Sequence, residues 1–243
     1  MIIKMPAPEH YGQMKQIWQQ AFGDSTESID AFFTTGFRKG HSRVAVEQRV
    51  LGAIYWFDLF WQGGRYAYLY ALAVDSHVRG RGVGSALVEQ VCKELDEMGY
   101  AGAVLIPGST SLYRYYEKLG FTAFGKAQTV TAYAGLTPSK LQEVSAREYL
   151  QGRSGFSWDD AFAAFLENQC LLYQGEGIRL IQYRGMADIQ EYMGAPEMLP
   201  GVLAALDLPE ATVCMPGGDN PTGMYRLFHS DAELPDFLGP GLG

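Results

Sequence analysis

Cysteine is scarce in this chain. Only Cys92, Cys170 and Cys214 occur, far apart and in no metal-ligand spacing. An odd, scattered set excludes a disulfide framework and suits a reducing compartment. The four histidines, His10, His41, His77 and His229, form no HExxH-like group, so no metal site is expected. No apolar run reaches the ~20 residues needed to cross a bilayer, and no membrane partner is expected. The opening residues, MIIKMPAPEHYGQ, show no signal-peptide pattern, which leads to the expectation of a cytoplasmic protein. Basic residues are outnumbered, 19 Lys and Arg against 27 Asp and Glu, a net charge of −8. That balance disfavours a nucleic-acid partner and is compatible with a cationic substrate.

What is present is a core. The 243 residues are 47% hydrophobic and 13% aromatic, enough for one large domain or two small ones. Tyr11, Met14, Ile17, Trp18 and Phe22 recur at helical spacing, with Gly23 as a stop. SIDAFFTTGF reads as a second helix, capped by Ser28 or an earlier polar residue. Strands are expected near 43–47 and 50–61, then a turn at QGG. In RYAYLYALAV, strict alternation puts Tyr66, Tyr68, Tyr70, Leu72 and Val74 on one face, and Ala67, Leu69, Ala71 and Ala73 on the other.

The most informative stretch follows, AVDSHVRGRGVGSALVEQV at 73–91. Two arginines and three glycines separate an apolar strand from an amphipathic helix, whose stripe is Gly84, Leu87, Val88, Val91, Leu95 and Met98. Cys92 borders that stripe and reads as a small buried hydrophobe. Glycines let a backbone approach an anion, a helix start exposes N–H groups, and arginines add charge, so the segment is suited to phosphate. A P-loop is excluded, because no lysine follows the glycines. A dinucleotide site is disfavoured, because the pattern is GxGxxS and the next strand, AGAVLIP, ends without a carboxylate. An RNA-binding arginine–glycine segment would be repeated and disordered, and this one is neither.

Arg79-Gly80-Arg81-Gly82-Val83-Gly84 matches [QR]-x-x-G-x-[GA], and Tyr116-Glu117-Lys118-Leu119-Gly120-Phe121 lies one helix, strand and helix further on. Together these resemble motif A and the end of motif B of the GCN5-related N-acetyltransferases, over residues 1 to about 135. The resemblance implies an α/β fold, with a mixed central sheet flanked by helices. It also implies a V-shaped opening between YLYALAV and AGAVLIP that holds acetyl-CoA. Backbone groups near Leu72, Ala73 and Val74 would pair with the pantetheine arm. Residues Arg79 to Gly84, with Ser85, would cradle the diphosphate. Tyr116 stands where the family places a general acid that reprotonates the leaving thiolate; Tyr113 and Tyr115 are assigned to packing. Ser109 stands where relatives often have Asn, and either bonds the arm or caps its helix. Many relatives carry a base, a glutamate, on the strand before the loop, and YALAV has none. Asp58, among aromatic residues, is the first candidate for general base, on the ground that burial would raise its pKa; Glu47 is the second, and a water chain or a plain strand-surface role are the alternatives. The aromatic run Tyr55, Trp56, Phe57, Phe60 and Trp61 is expected to be sheet core, part of it walling the acceptor pocket.

The expected domains are 1–136 and 137–243, divided where GLTPSK clusters turn residues. The second is read as a smaller α+β lobe that does not bind CoA. It is either a degenerate acetyltransferase-like repeat or a plain cap, and Asp159, Asp160, Glu176 and Glu191 are its notable acids. SWDDAFAAFLENQCLLY reads as one helix capped by Ser157, and LPDFLGPGLG as a loose tail. The implied activity is acetyl transfer to a primary amine by direct attack, with a small cationic amine favoured. Protein or peptide acetylation and a non-catalytic CoA-binding regulatory role are the alternatives.

Overall fold

The computed structural model describes residues 1–152, 155–229, 234–235 and 238–239. They form two compact units. Of the described residues, the first takes those in 1–122 and 224–229, and the second those in 123–223 and 234–239. The chain therefore leaves the first unit before its sheet is complete and returns to it near the end.

The first unit runs β1 (Ile2–Lys4), α1 (Tyr11–Phe22), α2 (Thr26–Thr35), β2 (Ser42–Val46), β3 (Val50–Trp61), β4 (Gly64–Val74), α3 (Val83–Glu97), β5 (Gly102–Leu105) and α4 (Thr110–Glu117). Gly23, left-handed at φ +77, closes α1, and the Ser25 side chain caps α2 by accepting from the Ser28 N–H. β1 to β4 pair antiparallel in chain order, and β4 pairs β5 in parallel. A parallel pair needs a crossover, and α3 supplies it. Leu87, Val88, Val91 and Leu95 of α3 are fully buried against Ile54, Trp56, Ala67 and Ala103 of the sheet. At ~25 cal/mol per Å² of apolar surface removed from water, each such side chain contributes roughly 2 kcal/mol. The opposite face is aromatic, with Trp18 and Phe32 of α1 and α2 lying 5.3 and 5.1 Å from Tyr55 between ring centroids.

β6 (Thr122–Phe124) marks the boundary. The second unit continues with β7 (Ala127–Tyr133), β8 (Gln142–Glu143), α5 (Ala146–Leu150), β9 (Ser157–Trp158), α6 (Asp160–Gln169), β10 (Cys170–Gly175), β11 (Ile178–Tyr183), β12 (Ile189–Met193), α7 (Leu199–Ala205) and β13 (Glu210–Pro216). Its sheet has the order β7-β13-β12-β11-β10-β8. Leu199, Val202 and Leu203 of α7 pack with Leu180, Ile189 and Val213, and α5 and α6 pack on β10. The last strand, β14 (Gly223–Leu227), pairs antiparallel with β5.

Several expectations change here. Although β7 precedes the boundary expected at GLTPSK, it pairs with β13 of the second unit along its whole length, and Met224–Leu227, from the stretch expected to be the second lobe, takes the place beside β5. The one long helix at 157–173 is a helix followed by a strand, because Cys-Leu-Leu-Tyr pairs with β11. Asp159, not Ser157, is the cap of α6, accepting from the Phe162 N–H at 2.8 Å. Of the tail, residues 236–237 and 240–243 lie outside the described residues. Leu238 is buried, and the Gly239 carbonyl accepts from the Trp158 indole. Among the described residues, no helix is long and apolar enough to cross a membrane.

Candidate active site

The site begins with a fault in β4. Strict alternation would put Leu72 and Val74 with the tyrosines. Instead Ala71 sits at φ +50, a left-handed conformation that costs a non-glycine residue about 1–2 kcal/mol. Opposite it the register slips, for Ala53 faces Ala73 while Tyr55 faces Tyr70. β4 therefore spends one residue more than β3, which is a β-bulge. The extra residue reverses the faces. Tyr68 and Tyr70 keep to the aromatic side, where Tyr70 lies 5.7 Å from Trp18, while Leu72 and Val74 join Ala67 and Leu69 on the α3 side. The parallel pairing with β5 stops at Tyr68 and Val104, before the bulge. Beyond that point no pairing ties the two strands, and this is the stretch at which the family resemblance implied an opening.

The loop from β4 to α3 is pinned at one end and open at the other. Asp75 is buried, and its N–H donates to the Leu51 carbonyl at 2.9 Å. Its carboxylate accepts from the His77 N–H at 2.8 Å and pairs with His77 Nδ1 and Arg49. The His77 backbone bond, opposed by burial and aided by the His77 and Arg49 side chains, holds Asp75 below the usual carboxylate range. Arg79 Nε reaches back to the Val74 carbonyl at 3.2 Å. Arg79 and Arg81 are both exposed.

Gly80 and Gly82 are left-handed at φ +77 and +79, and a Cβ at either would meet nothing within 4 Å. Their requirement is backbone conformation, and the space above them is free. Gly82 is the N-cap of α3, and no side chain caps that helix, whereas Ser25, Ser145 and Asp159 cap α2, α5 and α6. The first helical bond is from Ala86 N to Gly82 O at 2.9 Å. The N–H groups of Val83, Gly84 and Ser85 therefore have no acceptor within the helix. Gly84 is small for a different reason: a Cβ there would stand 3.0 Å from the Tyr115 hydroxyl and 3.4 Å from Val74 Cγ2.

α4 brings in the second motif. Tyr116 is 9% exposed and packs edge-on to Tyr115 and Phe121, with ring centroids 4.9 and 5.7 Å away. Among the described residues no hydrogen bond reaches its hydroxyl. Burial, with Tyr115 beside it, pushes that hydroxyl well above the ordinary phenol range, so it stays protonated. Gly120, at φ +81, ends the helix as expected. Arg226 of β14 donates to the Leu119 carbonyl at 2.9 Å and pairs with Glu89 of α3 at 3.3 Å. Arg226 lies in the stretch expected to be the second lobe, yet it ties the end of α4 to α3, and nothing local in the sequence marks that role. Ser109 occupies the N-cap position of α4, but its Oγ contacts Ser111 Oγ at 3.0 Å and makes no cap bond.

Asp58 requires a correction. It is 5% exposed, as expected, but its carboxylate is already engaged: Tyr100 donates at 2.7 Å, Arg65 at 2.7 Å, and His41 lies 3.4 Å away. Burial acts to raise its pKa, but Arg65, Tyr100 and His41 together outweigh it, so the group titrates below the usual value. It faces Ala67, five residues before Leu72, or roughly 16 Å away along β4. Asp58 therefore stabilises the sheet. Glu47 is exposed in the turn between β2 and β3. Two acids of the second unit are occupied likewise. Asp159 is a cap, and buried Glu191 accepts from the Tyr149 hydroxyl at 2.7 Å. Among the described residues, no group of three or more His, Cys, Asp or Glu comes together as a metal site.

A bulged strand parting from its parallel neighbour, with an uncapped glycine-led helix start behind it, agrees with one family comparison. Residues 9–121 match the model of the acetyltransferase (GNAT) family. This part of the chain is a GNAT acetyltransferase domain. Acyl transfer is the activity class to which this domain belongs. Its fold recurs in solved structures. A GCN5-related N-acetyltransferase from Anabaena variabilis matches with TM-score 0.69 and 17% identity, covering 94% of this chain and 73% of that one. One from Kribbella flavida gives 0.65 and 15%, covering 93% and 70%. Eis1 from Mycobacterium abscessus gives 0.65 and 12%, covering 94% and 74%. At such identities the likeness is one of fold, and it extends over both units. No curated protein matches the sequence.

Proposed function

We propose that this GNAT protein transfers an acetyl group from acetyl-CoA to a primary amine, by direct attack in a ternary complex. The observation that carries the reading is the bulge at Ala71 facing an uncapped α3. It leaves strand backbone, free N–H groups and empty space above Gly80 and Gly82 along one path. In this reading the backbone of Leu72, Ala73 and Val74 aligns the pantetheine arm, and Ser109 bonds it. The N–H groups of residues 79–84, the Ser85 hydroxyl and the Arg79 and Arg81 guanidiniums hold the diphosphate.

The amine nitrogen, once deprotonated, attacks the thioester carbonyl carbon. A C–N bond forms, the C–S bond breaks, and the departing sulfur takes the proton of Tyr116. The amine's surplus proton leaves through water, since Asp58 is committed elsewhere, and water returns a proton to the Tyr116 phenolate. A small cationic acceptor accords with the net charge of −8. The three free cysteines support a cytoplasmic setting.

The second unit is, in our reading, a degenerate copy of the first. Its β10-β11-β12-β13-β7 run repeats the directions of β2-β3-β4-β5-β14: antiparallel, antiparallel, parallel, antiparallel. A register slip recurs in β12, where Ile181 faces Glu191 and Gln182 faces Ile189. Its turn cannot act as a cradle, because a Cβ at Gly194 would stand 2.6 Å from the Tyr192 hydroxyl.

Release of free thiol from acetyl-CoA, measured across polyamines, aminoglycosides, amino acids and peptides, tests the activity. Turnover with an amine that is lost in Tyr116→Phe supports it; CoA binding without turnover on any acceptor refutes it. That second outcome would favour a non-catalytic CoA-binding module, a reading to which the engagement of Asp58 lends support.

A further inference from the structure

Tyr115 was assigned to packing by its place in a crowded helix, but its hydroxyl is aimed at the start of α3. It accepts from Ser85 Oγ at 3.4 Å and stands 3.0 Å from where a Gly84 Cβ would be. Its own proton donates to nothing among the described residues. The side chain is half-buried beside Leu72 and Val74 at the parting of the strands. Packing would be equally served by phenylalanine. A phenolic donor beside Gly84 and Ser85 adds a side-chain donor next to the helix start whose first N–H groups have no helical acceptor. Burial raises Tyr115 above the ordinary phenol range, with the Ser85 bond opposing, so the hydroxyl keeps its proton at neutral pH.

We infer that Tyr115 is a coenzyme ligand, whose hydroxyl donates to a phosphoryl oxygen of the CoA diphosphate. The inference rests on the acetyl-CoA reading above. It divides the adjacent tyrosines by role: Tyr116 serves the sulfur, and Tyr115, beside Ser85, serves the phosphates.

The test titrates the full-length protein and its Tyr115→Phe variant, by calorimetry, with CoA and with pantetheine, which has the thiol arm and no diphosphate. A hydrogen bond to a charged oxygen is worth about tenfold in affinity. The ratio of CoA affinity to pantetheine affinity should therefore fall about tenfold in Tyr115→Phe. A general loosening of the site would weaken both ligands alike and leave the ratio intact, and that result overturns the inference. So does CoA binding that is indistinguishable between the two proteins. Wild-type protein that binds no CoA would overturn the acetyl-CoA reading itself, and this inference with it.

Discussion

Two glycines of the first unit share one backbone conformation and differ only in what surrounds them functionally. Gly23 closes α1 at φ +77, ψ 9, and Gly82 opens α3 at φ +79, ψ 5. A Cβ at either meets no atom within 4 Å. Replacing each with alanine imposes the same left-handed penalty, about 1 kcal/mol after the smaller entropy of the unfolded chain is counted. For a chain of this length that lowers the Tm by about 2–4 °C. Stability should therefore not distinguish the variants. Coenzyme binding should. The methyl group at residue 82 enters the space where phosphoryl oxygens must approach the N–H groups of Val83 to Ser85. A displacement costing about 1.4 kcal/mol is a tenfold loss of affinity. Thermal unfolding and calorimetry with CoA measure both quantities on Gly82→Ala, with Gly23→Ala as the matched control. Equal CoA affinity in the two variants would refute the cradle. A stability loss in Gly82→Ala exceeding that of Gly23→Ala by well over 1 kcal/mol would refute the conformational matching.

Three other outcomes follow from the packing. A chain ended at residue 136 lacks Met224, buried in the first core, and leaves β5 with an unpaired edge. It should show no cooperative thermal transition and no CoA binding; a cooperative transition would refute the sharing of strands described above. Asp58→Asn should cost about 2 kcal/mol at pH 7, read by denaturant unfolding, because it weakens charge-assisted bonds from Arg65 and Tyr100. Asp58 titrates below its unfolded value, so its contribution is present above about pH 4 and is lost as pH falls through the folded value. The variant should accordingly lose less stability than wild type between pH 5 and acid, and equal slopes would contradict this. The buried thiols of Cys92 and Cys170 are pushed up to about 12 by desolvation. Neither should react with a maleimide at pH 8 until the protein unfolds, as peptide mass mapping would show.

Much of the candidate site's backbone was legible because its geometry is local. Glycines at 80 and 82 are needed for their own torsion angles, and Gly120 for the end of its own helix, so each is announced by residue type alone. The stripe of α3 is likewise a property of spacing along one segment. The bulge was not legible. Ala71 is an ordinary strand residue, and Leu72 and Val74 alternate as a regular strand would. Only pairing against β3 shows that β4 carries one residue too many. Asp58 misled for a related reason. An acid among aromatics indicates burial, but the direction of its pKa depends on Arg65, Tyr100 and His41, which the folded sheet brings to it. Tyr115 is similar: helical spacing places it beside Tyr116, and only the packing of α4 on α3 turns its hydroxyl toward Ser85.

By itself, then, the order of residues determined the α/β class, the stops of α1 and α4, and the glycine turns that lead into α3, since these depend on torsion angles and periodicity within short segments. The tertiary structure decided which strand lies beside β5, where β4 breaks its alternation, and which carboxylates and hydroxyls are free to react. Those depend on hydrogen bonds and charges between residues as distant as 104 and 225, or 58 and 100, and no local pattern encodes such pairings.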